Sequence, residues 1–189
     1  MQAKTNAQQT VTAKSLEKMK QELIPHETVY LPEQREAPFP VLLFMHGCSG
    51  ATPAHEKDWA KRFNEIGVAV IGIDSYGGRE IDWNDACNFK EMTPWERSGD
   101  IPAIMDSLKD RDFIDPAQVY LIGFSHGALT VWAFLEQLSN SETPLSLTQL
   151  PENNYQDAIK GTFMFYGSCP TQWTVNINSL ILLGEDDRY

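Results

Sequence analysis

Three short runs, residues 41–45, 68–73 and 119–122, are apolar almost throughout and bounded by turn-forming residues. That pattern predicts strands buried on both faces rather than the alternation of a half-exposed sheet. Runs at 27–31, 161–166 and 179–183 read as further strands. Between them the period changes to that of a helix. Leu16, Met19, Leu23 and Ile24 share one face until Pro25. Trp59, Phe63 and Ile66 mark a second helix, with Gly67 where a left-handed C-terminal cap is expected. Thr93-Pro94-Trp95-Glu96 has capping-box spacing with proline at the first helical position. Ile101, Ile104, Met105 and Leu108 form the next stripe, and Pro102 calls for a helix restart near Ser98. Leu129, Trp132 and Leu135, with Val131 and Leu138, define the strongest helix, directly after the 119–122 strand. Residues 82–89 have no clear period, and 139–157 are polar and interrupted by proline.

Strands alternating with helices predict the α/β class: a mostly parallel sheet with helices on both faces, joined by right-handed crossovers. Residues 1–25 read as a polar N-terminal segment with a short amphipathic helix, and 26–189 as one domain. Ligands of such sheets bind at the carboxyl ends of the strands, so the loops after Met45, Ile73, Ile122, Tyr166 and Leu183 are where chemistry is expected.

Composition narrows the function. The chain of 189 residues carries 15 basic and 26 acidic side chains, a net charge of −11, and the whole acidic excess lies beyond residue 38. That surface disfavours nucleic acid and anionic membranes as partners. No window has the roughly 20 apolar residues of a spanning helix. Residues 1–10 are polar, which makes cytoplasm the expectation if Met1 is the start; a trimmed exported protein would look the same. Three cysteines, Cys48, Cys87 and Cys169, include no CxxC pair and no histidine at zinc spacing, so neither a metal site nor a disulfide framework is signalled. They read as small buried thiols; a Cys48–Cys87 bridge in an exported relative is left open. No cofactor or metal is expected.

The strongest chemical signal is Gly123-Phe124-Ser125-His126-Gly127, a G-x-S-x-G between a strand and a helix. Serine on so tight a turn needs small neighbours two residues to either side, and its Oγ is raised above the sheet at a helix N-terminus. The bland alternative is a serine that merely caps the helix. The second signal is His46-Gly47-Cys48-Ser49-Gly50, directly after a buried strand. Acyl transfer needs two backbone N–H donors at the developing oxyanion, and His126 and Cys48 are the expected pair. The His46 side chain reads as a structural hydrogen-bonder rather than a base.

With these motifs in place, the order HGCSG, AVIGIDSYG, DPAQVYLIGFSHGA and LILLGEDDRY resembles the α/β-hydrolase superfamily, in its dienelactone hydrolase-like branch, over residues 39–189. The resemblance implies an α/β-hydrolase fold and a triad in the order nucleophile, acid, histidine. It assigns the acid to Asp187, with Asp186 second. Serine at position 125, where dienelactone hydrolases carry cysteine, implies a broader serine esterase and a small-molecule ester substrate. The family's histidine follows the acid, and only Arg188 and Tyr189 do so here. The expectation is therefore an N-terminal portion of a longer hydrolase, lacking the last strand, the histidine loop and the closing helix, and weak or inactive as it stands. The alternative is a non-catalytic binding protein of the same fold. A missing last strand would leave 179–183 as an exposed apolar edge prone to self-association. Arg79 and Trp83 are candidate substrate contacts; Asp74 reads as a turn former, Trp132 as core.

Overall fold

The computed structural model describes residues 11–33, 35–168 and 171–185. Six strands form one sheet: β1 (Thr28–Tyr30), β2 (Phe39–Met45), β3 (Ala69–Ile73), β4 (Ile114–Phe124), β5 (Ile159–Phe165) and β6 (Ser179–Leu182). Their spatial order is β1-β3-β2-β4-β5-β6, parallel except for β1, which runs antiparallel to β3.

Among the described residues the α-helices are α1 (Leu16–Leu23), α2 (Pro53–Glu65), α3 (Trp83–Cys87), α4 (Pro94–Arg97), α5 (Asp100–Ser107), α6 (His126–Ser139) and α7 (Tyr155–Ala158). Because side chains alternate across a strand, the continuous apolar runs feed two cores. Val41, Leu43 and Met45 of β2 pack with α1, α5 and α6, where Met19, Ile104, Val131 and Leu135 meet them. Leu42 and Phe44 face the other way, onto Ala60, Trp59 and Phe63 of α2.

The predicted caps are present. Gly67 sits at φ 86° after α2, its N–H donating to Asn64 O at 2.9 Å and that of Val68 to Phe63 O at 3.0 Å, the two bonds of a Schellman motif. Thr93 and Glu96 cap α4 reciprocally. The restart before Pro102 falls at Asp100, two residues later than predicted, which leaves proline in the first turn, where its missing N–H costs nothing. Residues 82–89, aperiodic in sequence, contain α3, because Asp82 Oδ1 accepts the N–H groups of Asn84 and Asp85.

One expectation is corrected. Cys48 and Cys87 are not free thiols but a disulfide with Cα atoms 4.9 Å apart; the strand ends and α3 bring together half-buried residues that are 39 apart in sequence. Cys169 lies outside the described residues. Among the described residues no helix is long and apolar enough to cross a membrane, and β6 forms the sheet's last strand, with Leu180, Leu182 and Leu183 exposed.

Candidate active site

Ser125 links β4 to α6 and holds φ 51° with ψ −116°. A non-glycine residue in that region carries about 1–3 kcal/mol of strain, which persists only where the surroundings impose it. Here they do. The Ser125 N–H donates to Phe165 O of β5 at 2.8 Å, and its carbonyl accepts from Leu129 N at 3.0 Å. A Cβ on Gly123 would run into the Gly127 carbonyl, and one on Gly127 into the Met45 carbonyl. Both motif glycines thus permit three backbone segments to cross in contact beneath the serine. The Ser125 side chain is half-buried, and its hydroxyl has no hydrogen-bond partner among the described residues.

The 46–50 loop lies against this turn. A Cβ placed on Gly47 would come 3.9 Å from Ser125 Cβ and 3.5 Å from Phe124 O. The loop closes on itself through Gly50 N–H to Gly47 O at 3.2 Å, with Gly50 at φ 90°. Cys48 N–H makes no hydrogen bond among the described residues, and His126, first residue of α6, has one of the amides that a helix start leaves unpaired.

Both nearby histidines are used internally. His46 is buried; its Nδ1–H donates to Gly47 O at 2.6 Å while Nε2 accepts from Ser75 N at 3.2 Å. Burial, then the Arg97 charge, hold its pKa well below the ordinary value. His126 donates Nε2–H to Met92 O at 3.0 Å and accepts from Arg97 Nη1 at 3.2 Å on Nδ1. Burial first, and Arg97 next, lower its pKa to about 3. Neither ring has a lone pair free for Ser125. The sign of the consequence is fixed: the unfolded chain binds a proton near pH 6.5 that folded His126 refuses until about 3, so stability is full above 6.5 and is lost as the pH falls. His126→Gln is expected to reduce the loss between pH 6.5 and pH 5 by up to about 2 kcal/mol, read from urea midpoints.

Arg97 carried no signal in the sequence, where it reads as a basic residue closing a short helix. It is wholly buried. Nε donates to Ser75 Oγ at 2.8 Å, Nη1 to His46 O at 2.8 Å and to His126 Nδ1, and the guanidinium carbon lies 5.3 Å from the Tyr76 ring centre. One side chain thereby joins the chain segments leaving β2, β3 and β4.

Other expected contacts lie elsewhere. Arg79 is committed inside the protein, with Nη2 at 2.7 Å from Asp100 Oδ1, Nε at 3.4 Å from Glu22 Oε2, and a side chain only 6% exposed. It has no free face for a substrate carboxylate. Asp74 Oδ1 accepts from Tyr76 and Gly77 N–H at 3.0 Å each, as a turn former does. Trp83 is exposed on α3 and does not line the cavity beside the Ser125 turn; Trp132 is core. Asp186 and Asp187 lie outside the described residues. Tyr166 N–H donates to Leu182 O at 3.0 Å, as Ser125 N–H does to Phe165 O, so the ends of β4, β5 and β6 are tied in sequence across the sheet.

That cavity, about 180 Å³, is walled by Phe44, Phe124, Gly47, Thr52, His55 and Tyr166 among others. His55, which precedes Ser125 in the sequence, stands on α2. Its Nε2 accepts from Trp59 Nε1–H at 3.0 Å, which places its proton on Nδ1, and its ring stands edge-on to Phe124 with centres 4.6 Å apart. Among the described residues no group of three or more His, Cys, Asp or Glu is arranged to hold a metal ion.

This strand order, with a strand-to-helix turn at Ser125 beside a glycine-containing loop at the carboxyl edge of the sheet, is the arrangement of the α/β-hydrolase fold. The structural comparisons agree, at identities that speak for the fold. The chain resembles the Butyrivibrio proteoclasticus esterase Est1E, in a structure with bound ferulic acid (TM-score 0.54, 23% identity, 76% of this chain, 49% of that one). It also resembles a dienelactone hydrolase-like promiscuous phosphotriesterase from metagenomic libraries (TM-score 0.57, 16% identity, 85% of this chain, 63% of that one). A third likeness is to a thermophilic esterase from Thermogutta terrifontis with propionate bound (TM-score 0.51, 14% identity, 75% of this chain, 49% of that one). No family model matches the sequence, and no curated protein is detectably similar to it. The chain therefore has the α/β-hydrolase fold of dienelactone hydrolase-like proteins and esterases, and spans about half the length of Est1E.

Proposed function

We propose that the protein is a serine hydrolase of the dienelactone hydrolase-like type, acting on carboxylic esters. The observation that carries this reading is the strained conformation of Ser125 with Gly47 packed beside it. Ser125 Oγ attacks the carbonyl carbon, and the oxyanion is received by the N–H groups of Cys48 and His126 at the positive end of α6. The alcohol leaves with a proton, and water then releases the acyl group from Ser125. Asp187 is assigned to orient the histidine that moves these protons, in the family's order. A cavity of about 180 Å³ holds the volume of roughly six water molecules, which favours a short acyl or alcohol group. The test is the site of attachment of a fluorophosphonate: an adduct mapped to Ser125 supports the reading, and an intact serine after prolonged exposure would sink it.

A second reading, a binding protein that does not turn over, is favoured by the internal engagement of His46 and His126. It is distinguished by a ligand held in the cavity of a protein whose Ser125 does not react.

The exposed apolar residues of β6 support self-association through that edge. Light scattering across a hundredfold concentration range is expected to show a rising mass, abolished by Leu182→Lys; a constant monomer mass would dismiss it.

A further inference from the structure

The segment from Asp82 to Arg97 adds no strand to the sheet, yet it is attached to both sides of the proposed oxyanion site. Cys87 is bonded to Cys48, closing a separation of 39 residues. Five residues on, Met92 O accepts Nε2–H of His126 at 3.0 Å. At its end, Arg97 donates to His46 O at 2.8 Å and to His126 Nδ1 at 3.2 Å. The segment is itself anchored: Ala86 and Met92 pack with Tyr76, and Glu96 Oε1 accepts from Val11 N at 2.9 Å. The two expected donors are unequally held. His126 is the first residue of a 14-residue helix and its ring is buried, so its amide has little freedom. Cys48 lies in a loop between exposed Ser49 and half-buried Gly47, and the disulfide is its only tie beyond the loop among the described residues.

We propose that the Cys48–Cys87 disulfide is a positioning device for the oxyanion site: Cys87, carried on α3, holds the Cys48 amide at the distance from the His126 amide that the reaction requires. The inference rests on Ser125 being the nucleophile. A backbone donor contributes to catalysis only if it is already aimed when negative charge develops, since an amide that must first be ordered loses most of its advantage. Opening the bridge leaves the sheet, the elbow and Arg97 in place while freeing the donor. Cys87 is thus a positioning residue, and the site is complete only in the oxidised protein.

The experiment uses the full chain. Tris(2-carboxyethyl)phosphine reduces the bridge, giving two thiols while the phosphine takes oxygen from water to become its oxide. Fluorophosphonate labelling of Ser125 is then followed as a function of probe concentration, separating the maximal rate from the half-saturating concentration. Reduction is expected to lower the maximal rate at least about tenfold, below the 10²–10³ of a donor removed outright, and to move half-saturation by less than about twofold. Reoxidation should restore the rate. A Cys48→Ala, Cys87→Ala double variant should label as slowly as the reduced protein and ignore the phosphine. An unchanged maximal rate with both thiols shown free would overturn the proposal. Hydrogen exchange provides a second readout that needs no chemistry at Ser125: residues 46–52 should exchange faster on reduction while β4 and α6 do not. If Ser125 fails to label in the oxidised protein, it is the nucleophile assignment that fails; unaltered exchange over 46–52 overturns the tether itself.

Discussion

Ser125→Ala is expected to eliminate fluorophosphonate labelling and all hydrolysis of p-nitrophenyl acetate above the rate of buffer alone. The alanine keeps the backbone path, since both residue types resist φ 51° equally and the flanking glycines are untouched, so folding should be little changed while the only atom able to form the acyl-enzyme is gone. The two histidines nearest Ser125, His46 and His126, are both bonded internally and neither can take its proton. Hydrolysis by this chain is therefore expected to be slow and to rise at least about tenfold with added imidazole, part of the 10²–10⁴ that general-base help supplies. The rise beyond what imidazole achieves by itself must vanish in Ser125→Ala. Equal imidazole-dependent rates in the two proteins would mean that Ser125 takes no part.

Arg97→Met is expected to cost about 3 kcal/mol of stability, from three buried acceptors left without their donor at about 1 kcal/mol each. Methionine fills similar space but withdraws the donors to Ser75 Oγ, His46 O and His126 Nδ1, and each buried acceptor left unsatisfied costs about 1–3 kcal/mol. Relief works against this: burial already lowers the Arg97 pKa, and its Nη2 has no partner among the described residues. Three lost acceptors outweigh one relieved charge. Arg97→Lys should recover little, since an ammonium cannot reproduce the planar fork that reaches three strand ends at once. Urea unfolding followed by tryptophan fluorescence decides this; a loss below about 1 kcal/mol would show that the acceptors find other partners.

How much of this was legible beforehand depended on the range of the interaction. Residues 41–45, 68–73 and 119–122 became β2, β3 and the core of β4 because a strand buried on both faces is apolar at every position, a property of consecutive residues. Gly67 and the Thr93–Glu96 box are bonds made within a few residues. The tight turn at residues 123–127 was legible for the same reason: its geometry is set by five successive residues, two of which must lack a Cβ.

The remainder was decided by contacts between distant parts of the chain. Arg79 has the same local surroundings whether it meets a substrate or Asp100, and only the packing of α1 and α5 selects the latter. Arg97 is indistinguishable in sequence from a solvated helix-end residue, and the Cys48–Cys87 pairing requires α3 to settle over the end of β2. By itself the sequence determined the strands, the caps and the strained serine, because short-range sterics and hydrogen bonds specify them. Which charges are buried, and which cysteines meet, followed only once the sheet had brought its carboxyl ends together, since burial and proximity belong to the assembled fold and not to any one segment.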